Sequence, residues 1–215
     1  MKQYINVETW ERGSSFRHFR DYTHPYFGIS TRVDVTRAYR EAKKAETSFF
    51  LCYFYLSLRA ANAVSAFRLR LEKDKPVIYD VVHGSPTVLR SDGGLGFSLL
   101  KYAADFDVFM KSAEPELERV KNQQKLDASR DRPDTIHYSI IPWIDFTAVS
   151  HPLDIERTEG IPILTFGKCR EEGKKRTMPV AVHAHHALMD GVHIHSFLHA
   201  FQENLDQFSI TGYRA

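Results

Sequence analysis

Near the end of the chain the hydrophobic pattern changes period. Met178–His186 alternates small or apolar residues with polar ones through Val180, Ala181, Val182, His183 and Ala184, which predicts a strand. Ile194, Phe197, Leu198, Phe201, Leu205 and Phe208 then recur at helical spacing and predict a helix over Val192–Phe208. Asp190-Gly191 marks the turn between them. Upstream, Phe49–Phe67 is apolar almost throughout and predicts a helix buried on most sides, preceded by a polar helical stretch, Thr36–Thr47. Phe67–Glu72 and Val77–Val82 flank Lys73-Asp74-Lys75-Pro76 and read as a hairpin.

Gly84–Pro86 and Ser91–Gly96 read as turns around a short strand, Thr87–Arg90. Asp105–Leu126 carries Phe106, Phe109, Met110, Leu117 and Val120 and predicts a helix that Pro115 kinks or interrupts. A loop over Asp127–Asp134 leads to strands at Ile136–Ile141, Pro162–Cys169 and Met178–His186, with Glu171–Lys174 turning between the last two. Few helices separate the strands and no regular βαβ alternation appears. The expectation is an α/β protein, a two-layer sandwich with a large mixed β-sheet, in one domain over residues 1–215.

Charge narrows the partners. A net charge of +2 leaves no surplus to bind nucleic acid or an anionic membrane. Arg59 and Asn62, beside Ser57 and Ser65, argue against a membrane span in Phe49–Phe67. Two cysteines, Cys52 and Cys169, are too few for a disulfide scaffold and read as free thiols. Charged residues follow Met1 at once, with no signal peptide pattern, so a cytoplasmic location is expected. Gly93, Gly94 and Gly96 do not follow a phosphate-loop or dinucleotide fingerprint.

The candidate chemistry sits where the two periods meet. His185-His186-Ala187-Leu188-Met189-Asp190-Gly191 places paired histidines at a strand end, where a rigidly held imidazole can take a proton near neutral pH. This H-H-x-x-x-D-G pattern resembles the signature of the chloramphenicol acetyltransferase family and of the wider coenzyme-A-dependent acyltransferase superfamily. Three more segments fall in that family's order. Trp10-Glu11-Arg12 with Phe16-Arg17-His18-Phe19 resembles its W-x-R…H-F region. Tyr138–Phe146 resembles S-x-x-P-W-x-x-F, and Pro162–Lys168 resembles P-I-I-T-x-x-K. The likeness runs from about Tyr4 to about Phe208.

The resemblance implies a coenzyme-A-dependent acyltransferase-like fold, acetyl-coenzyme A as co-substrate, a small hydroxyl compound as acceptor, and a homotrimer with interfacial active sites. It implies His186 as general base and Ser139 as the hydroxyl that stabilises the oxyanion. Asp190 pairs with Arg12 as site architecture. Phe19, Phe27 and Trp143 line an acceptor pocket. Thr165 and Lys168 are assigned to coenzyme A. The sequence also departs from the family: Phe19 replaces a pocket tyrosine, Pro25 stands where Cys or Ala is common, His151 replaces an apolar pocket residue, and Cys169 stands where an aromatic packs on adenine.

Other readings of the same residues exist. Asp190 has the spacing for the acid of a Ser-His-Asp relay. His183, His185, His186, His193, His195 and His199 crowd into a short stretch with metal-ligand spacings, although the apolar stripe of the last helix turns His195 and His199 toward solvent; no metal is expected. The alternatives to chloramphenicol acetylation are an acyltransferase with an unrelated acceptor and a non-catalytic homologue that binds a hydrophobic ligand.

Overall fold

The computed structural model describes residues 1–127, 132–153 and 159–210. Along the chain run β1 (Lys2–Tyr4), α1 (Gly13–Phe19), β2 (Tyr26–Asp34), α2 (Thr36–Lys44), α3 (Phe49–Ala63), β3 (Leu69–Glu72), β4 (Lys75–Tyr79), β5 (His83–Leu89), β6 (Leu95–Phe97), α4 (Phe106–Lys121), β7 (Thr135–Ile140), β8 (Ile163–Phe166), β9 (Arg170–Glu172), β10 (Lys175–His185) and α5 (Gly191–Gln207). A seven-stranded mixed sheet takes the order β2-β10-β8-β7-β5-β6, with β9 paired to the start of β10. A smaller antiparallel sheet, β1-β4-β3, stands beside it.

Strand alternation gives the large sheet two unlike faces. Val180, Val182 and Ala184 of β10, Leu164 and Phe166 of β8, and Ile136 and Tyr138 of β7 fall on one face and are all buried. Against that face lie α3, through Tyr53 on Phe166 and Phe54 on Tyr138, and α5, through Phe201 on Phe166. His183, Thr165, His137 and Ser139 fall on the other face, which no helix seen in these contacts covers. The architecture is therefore α/β, with a helical layer on one side of a large mixed sheet, as expected.

α3 explains why an apolar run need not span a membrane. Ten of its residues from Leu51 to Ala61 are buried, Arg59 alone turns outward, and Ser48 caps its start by accepting from the Leu51 amide at 3.3 Å. Asn62 donates to the Leu58 and Val82 carbonyls and accepts from the Val82 amide. Among the described residues no helix is long and apolar enough to cross a membrane.

Several boundaries differ from expectation. α3 ends at Ala63, and a 3-10 turn, Ser65–Arg68, leads into β3. The hairpin turns on Lys73 and Asp74 alone, both at positive φ (48° and 60°), with Glu72 opposite Lys75. Gly84 and Pro86 lie inside β5 instead of a turn: a Cβ at position 84 would stand 2.3 Å from the Phe54 ring, so this glycine marks a close approach of α3. α4 runs through Pro115 without interruption; Pro115 is exposed, so the carbonyl it leaves without an amide partner faces water. Part of the loop placed at Asp127–Asp134 lies outside the described residues. β1, α1, β6 and β9 had no period to announce them, and β2, though it alternates through Phe27, Ile29 and Val33, was not anticipated.

Candidate active site

β10 ends at His185, and the two histidines there go to opposite fates. His185 is fully buried, and its Nδ1 accepts from the Ala187 amide at 3.2 Å, tying down the turn. Burial pushes its pKa down to about 4, so it stays neutral and structural. His186, one residue on, keeps about a third of its side chain exposed. Its amide donates to the Pro25 carbonyl at 2.8 Å, and its carbonyl accepts from Arg12 Nη2 at 3.2 Å. Its ring lies flat on Phe19, centroids 3.9 Å apart with 3° between planes, and tilted against Phe27 at 4.5 Å. Contact with two aromatic rings fixes the plane of the imidazole, and its main chain is anchored at both polar groups.

Asp190 stands at the N-cap of α5. Arg12 forks onto it, Nη1 donating to Oδ2 and Nη2 to Oδ1 at 3.0 Å. The Arg12 hydrogen bond holds the Asp190 carboxyl below its ordinary value of 3.8. His186 Nδ1 lies 3.2 Å from Asp190 Oδ1 but makes no hydrogen bond with it. The predicted Arg12–Asp190 pair is present, and the carboxylate is committed to the guanidinium, which disfavours the relay reading. The Asp190 amide in turn donates to His193 Nδ1 at 2.9 Å, so this third histidine caps the helix.

Ser139 lies elsewhere. On β7 it lines a cavity of about 410 Å³ together with Ser85, Thr87, Phe97, His137 and His151. His137, Ser85 and Thr87 were not anticipated, although the alternation of Ile136–Ile141 already puts His137 on the Ser139 face. Thr165, the parallel-ladder neighbour of Ser139, is fully buried and hydrogen-bonded to His151 Nε2 at 2.7 Å. Thr165 and His151, expected to serve different ligands, are brought together; Lys168, three residues on, is exposed. Trp143 stands 62% exposed on the turn after β7, and Pro25 is buried beneath His186.

The ladder also measures how far apart the two principal candidates are. Ser139 is level with Thr165 and Ala181, while His186 lies five residues beyond Ala181 and two strands across. At the usual strand rise and spacing that is roughly 15 Å or more within one chain. Phe19, Phe27, Arg12 and Asp190 gather around His186; His151 and Thr165 gather around Ser139. Among the described residues no group of three or more His, Cys, Asp or Glu side chains is arranged to hold a metal ion.

A family model described as chloramphenicol acetyltransferase matches residues 2–202. Chloramphenicol acetyltransferase 3 of Escherichia coli is 27% identical over 202 residues, which cover 93% of this chain and 94% of that protein. A chloramphenicol acetyltransferase of Clostridium perfringens is 28% identical over 202 residues, covering 93% and 96%. The solved structure of a chloramphenicol acetyltransferase matches with a TM-score of 0.89 at 30% identity over 95% of this chain and 100% of that one. A probable dihydrolipoamide acetyltransferase from Listeria monocytogenes 4b F2365, 14% identical over 98% of this chain and 97% of that one, shares the fold with a TM-score of 0.68.

Proposed function

The chain belongs to the chloramphenicol acetyltransferase family, and on that premise we propose that it is an O-acetyltransferase that moves an acetyl group from acetyl-coenzyme A to a hydroxyl of a small acceptor, chloramphenicol or a related compound. The observation that carries this reading is the clamped ring of His186: stacked on Phe19, leaning on Phe27 and anchored through Pro25 and Arg12. In the proposal His186 takes the proton of the acceptor hydroxyl as its oxygen attacks the thioester carbonyl. The Ser139 hydroxyl donates to the oxygen on which charge develops, and as the carbon–sulfur bond breaks the coenzyme takes that proton from His186 and leaves as its thiol. Arg12 and Asp190 hold the strand end and touch neither substrate. In the same proposal Lys168, which is exposed, contacts coenzyme A.

The register supports an assembly as part of the same reading. One chain cannot set His186 and its own Ser139 on one hydroxyl, so we assign each site to two copies, in a homotrimer with its sites at subunit interfaces. Free thiols at Cys52 and Cys169 suit a cytoplasmic location.

Steady-state acetyl transfer, read with a thiol-detecting dye, tests the reading. Phe19 lacks the hydroxyl of the tyrosine it replaces, and Pro25 alters the wall behind His186. Chloramphenicol is therefore expected to be acetylated with a raised KM and a largely preserved kcat. A low micromolar KM would identify chloramphenicol as a preferred acceptor. Absence of both turnover and binding would overturn chloramphenicol as acceptor.

A further inference from the structure

The cavity on the polar face holds a side-chain arrangement that acetyl transfer to a hydroxyl does not itself require. His183 lies across β2, where Gly28 leaves room: a Cβ at position 28 would come within 2.8 Å of the imidazole. Its Nε2 donates to the Val149 carbonyl at 3.1 Å, which fixes the ring. His151 stands edge-on to it, centroids 5.2 Å apart and planes at 82°. Thr165 then locks His151 from the other side. Thr165 is fully buried and has His151 as its partner among the described residues, so its hydroxyl donates to Nε2. Neutral His151 consequently carries its proton on Nδ1, the edge no described residue engages.

The surroundings keep that donor uncharged. Burial lowers the His151 pKa, and the neighbouring His183 lowers it further. Burial outweighs the Val149 bond in lowering His183 as well. Among the described residues no Asp, Glu, Lys or Arg lines the cavity; the polar side chains there are Ser85, Thr87, His137, Ser139 and His151, against Leu95, Phe97 and Ile163. A neutral N–H in such a setting is complemented by a neutral oxygen, whereas a carboxylate or phosphate would lose its hydration there with no cation among the described lining to pair it.

We infer that His151 determines acceptor specificity, selecting neutral hydroxyl compounds that carry a second, hydrogen-bond-accepting oxygen to meet its Nδ1–H. This deepens the acetyltransferase reading and rests on it. An acceptor with a purely hydrocarbon body covers the N–H without pairing it, a loss of about tenfold or more in affinity.

Phenylglycerol and phenylpropanol share a carbon skeleton and differ by two hydroxyls, so the change in their ratio on substituting His151 reads this contact. Wild type is expected to favour phenylglycerol in kcat/KM. His151→Leu should lower the phenylglycerol-to-phenylpropanol ratio about tenfold, chiefly through KM, and His151→Gln, which keeps an N–H donor, should hold it within about threefold of wild type. An unchanged ratio in His151→Leu, or a wild-type preference for phenylpropanol, overturns the inference. Calorimetric binding of the two alcohols to wild type and His151→Leu separates the two claims. If no hydroxyl is acetylated, the acyltransferase reading falls, while a matching shift in the two dissociation constants still upholds His151. If wild type binds neither compound, the specificity claim falls too.

Discussion

A histidine can serve as a base only if its ring is held while one nitrogen stays reachable, and the adjacent His185 and His186 divide those conditions. His185 is held but sealed, its Nδ1 spent on the Ala187 amide. His186 is held by stacking and by its main chain, with a third of the side chain open. His186→Ala is therefore expected to lower acetyl transfer by ~10²–10⁴-fold or more, with an unchanged melting temperature. Near wild-type turnover in the purified variant would remove His186 from the role of base. His185→Ala should do the reverse: a loss of about 2–4 kcal/mol of stability from the cavity and the orphaned amide, with activity retained in the folded fraction.

At the scale of elements, Arg12 joins the start of α1 to the N-cap of α5 through Asp190, and also grips the His186 carbonyl. Arg12 is nearly buried, whereas Asp190 keeps 36% of its side chain exposed. Solvent screens the pair in part, so losing one partner should cost about 2–4 kcal/mol, somewhat less than for a fully buried pair. Because the carboxyl is depressed in the folded state, its contribution is complete above the unfolded value of about 4 and fades as pH falls through the folded value. Asp190→Asn should melt well below wild type at neutral pH, and the gap should narrow under strong acid. Equal melting temperatures at neutral pH would show that the pair holds nothing. This pair was legible in the sequence only through the motif order, since Arg12 and Asp190 lie at opposite ends of the chain. Periodicity found α3, α5 and β10, whose apolar positions face one core. It missed β2, whose apolar side runs through Phe27, Ile29 and Val33 opposite Ala184, Val182 and Met178 but is broken by Thr31, with Gly28, Ser30 and Arg32 on the polar side. It also misread Gly84 and Pro86 as turn residues, for the glycine is there to admit Phe54, a reason that exists only in three dimensions.

At the scale of the whole molecule the two clusters pose the remaining question. The His186 cluster sits at the end of β10 beside β2, and the Ser139 cavity sits over β7 and β8, roughly 15 Å or more away on a rigid sheet. A sheet with one apolar core does not fold to bring these points together, so catalysis by both residues requires a second copy to supply one of them. That claim has a decisive test in subunit mixing. His186→Ala and Ser139→Ala should each be nearly inactive alone, the second by ~10²–10³-fold from loss of an oxyanion donor. Unfolded together in equal amounts and reassembled, they produce interfaces in which an intact His186 from one chain meets an intact Ser139 of the partner subunit. Random assortment makes about a quarter of all sites of that kind, so the mixture should recover about a quarter of wild-type activity. Sites built within a single chain would give no recovery, because every chain in the mixture lacks one of the two residues. The mixture would then stay at the level of the separate variants, and the interfacial assignment, together with the pairing of His186 and Ser139, would have to be abandoned.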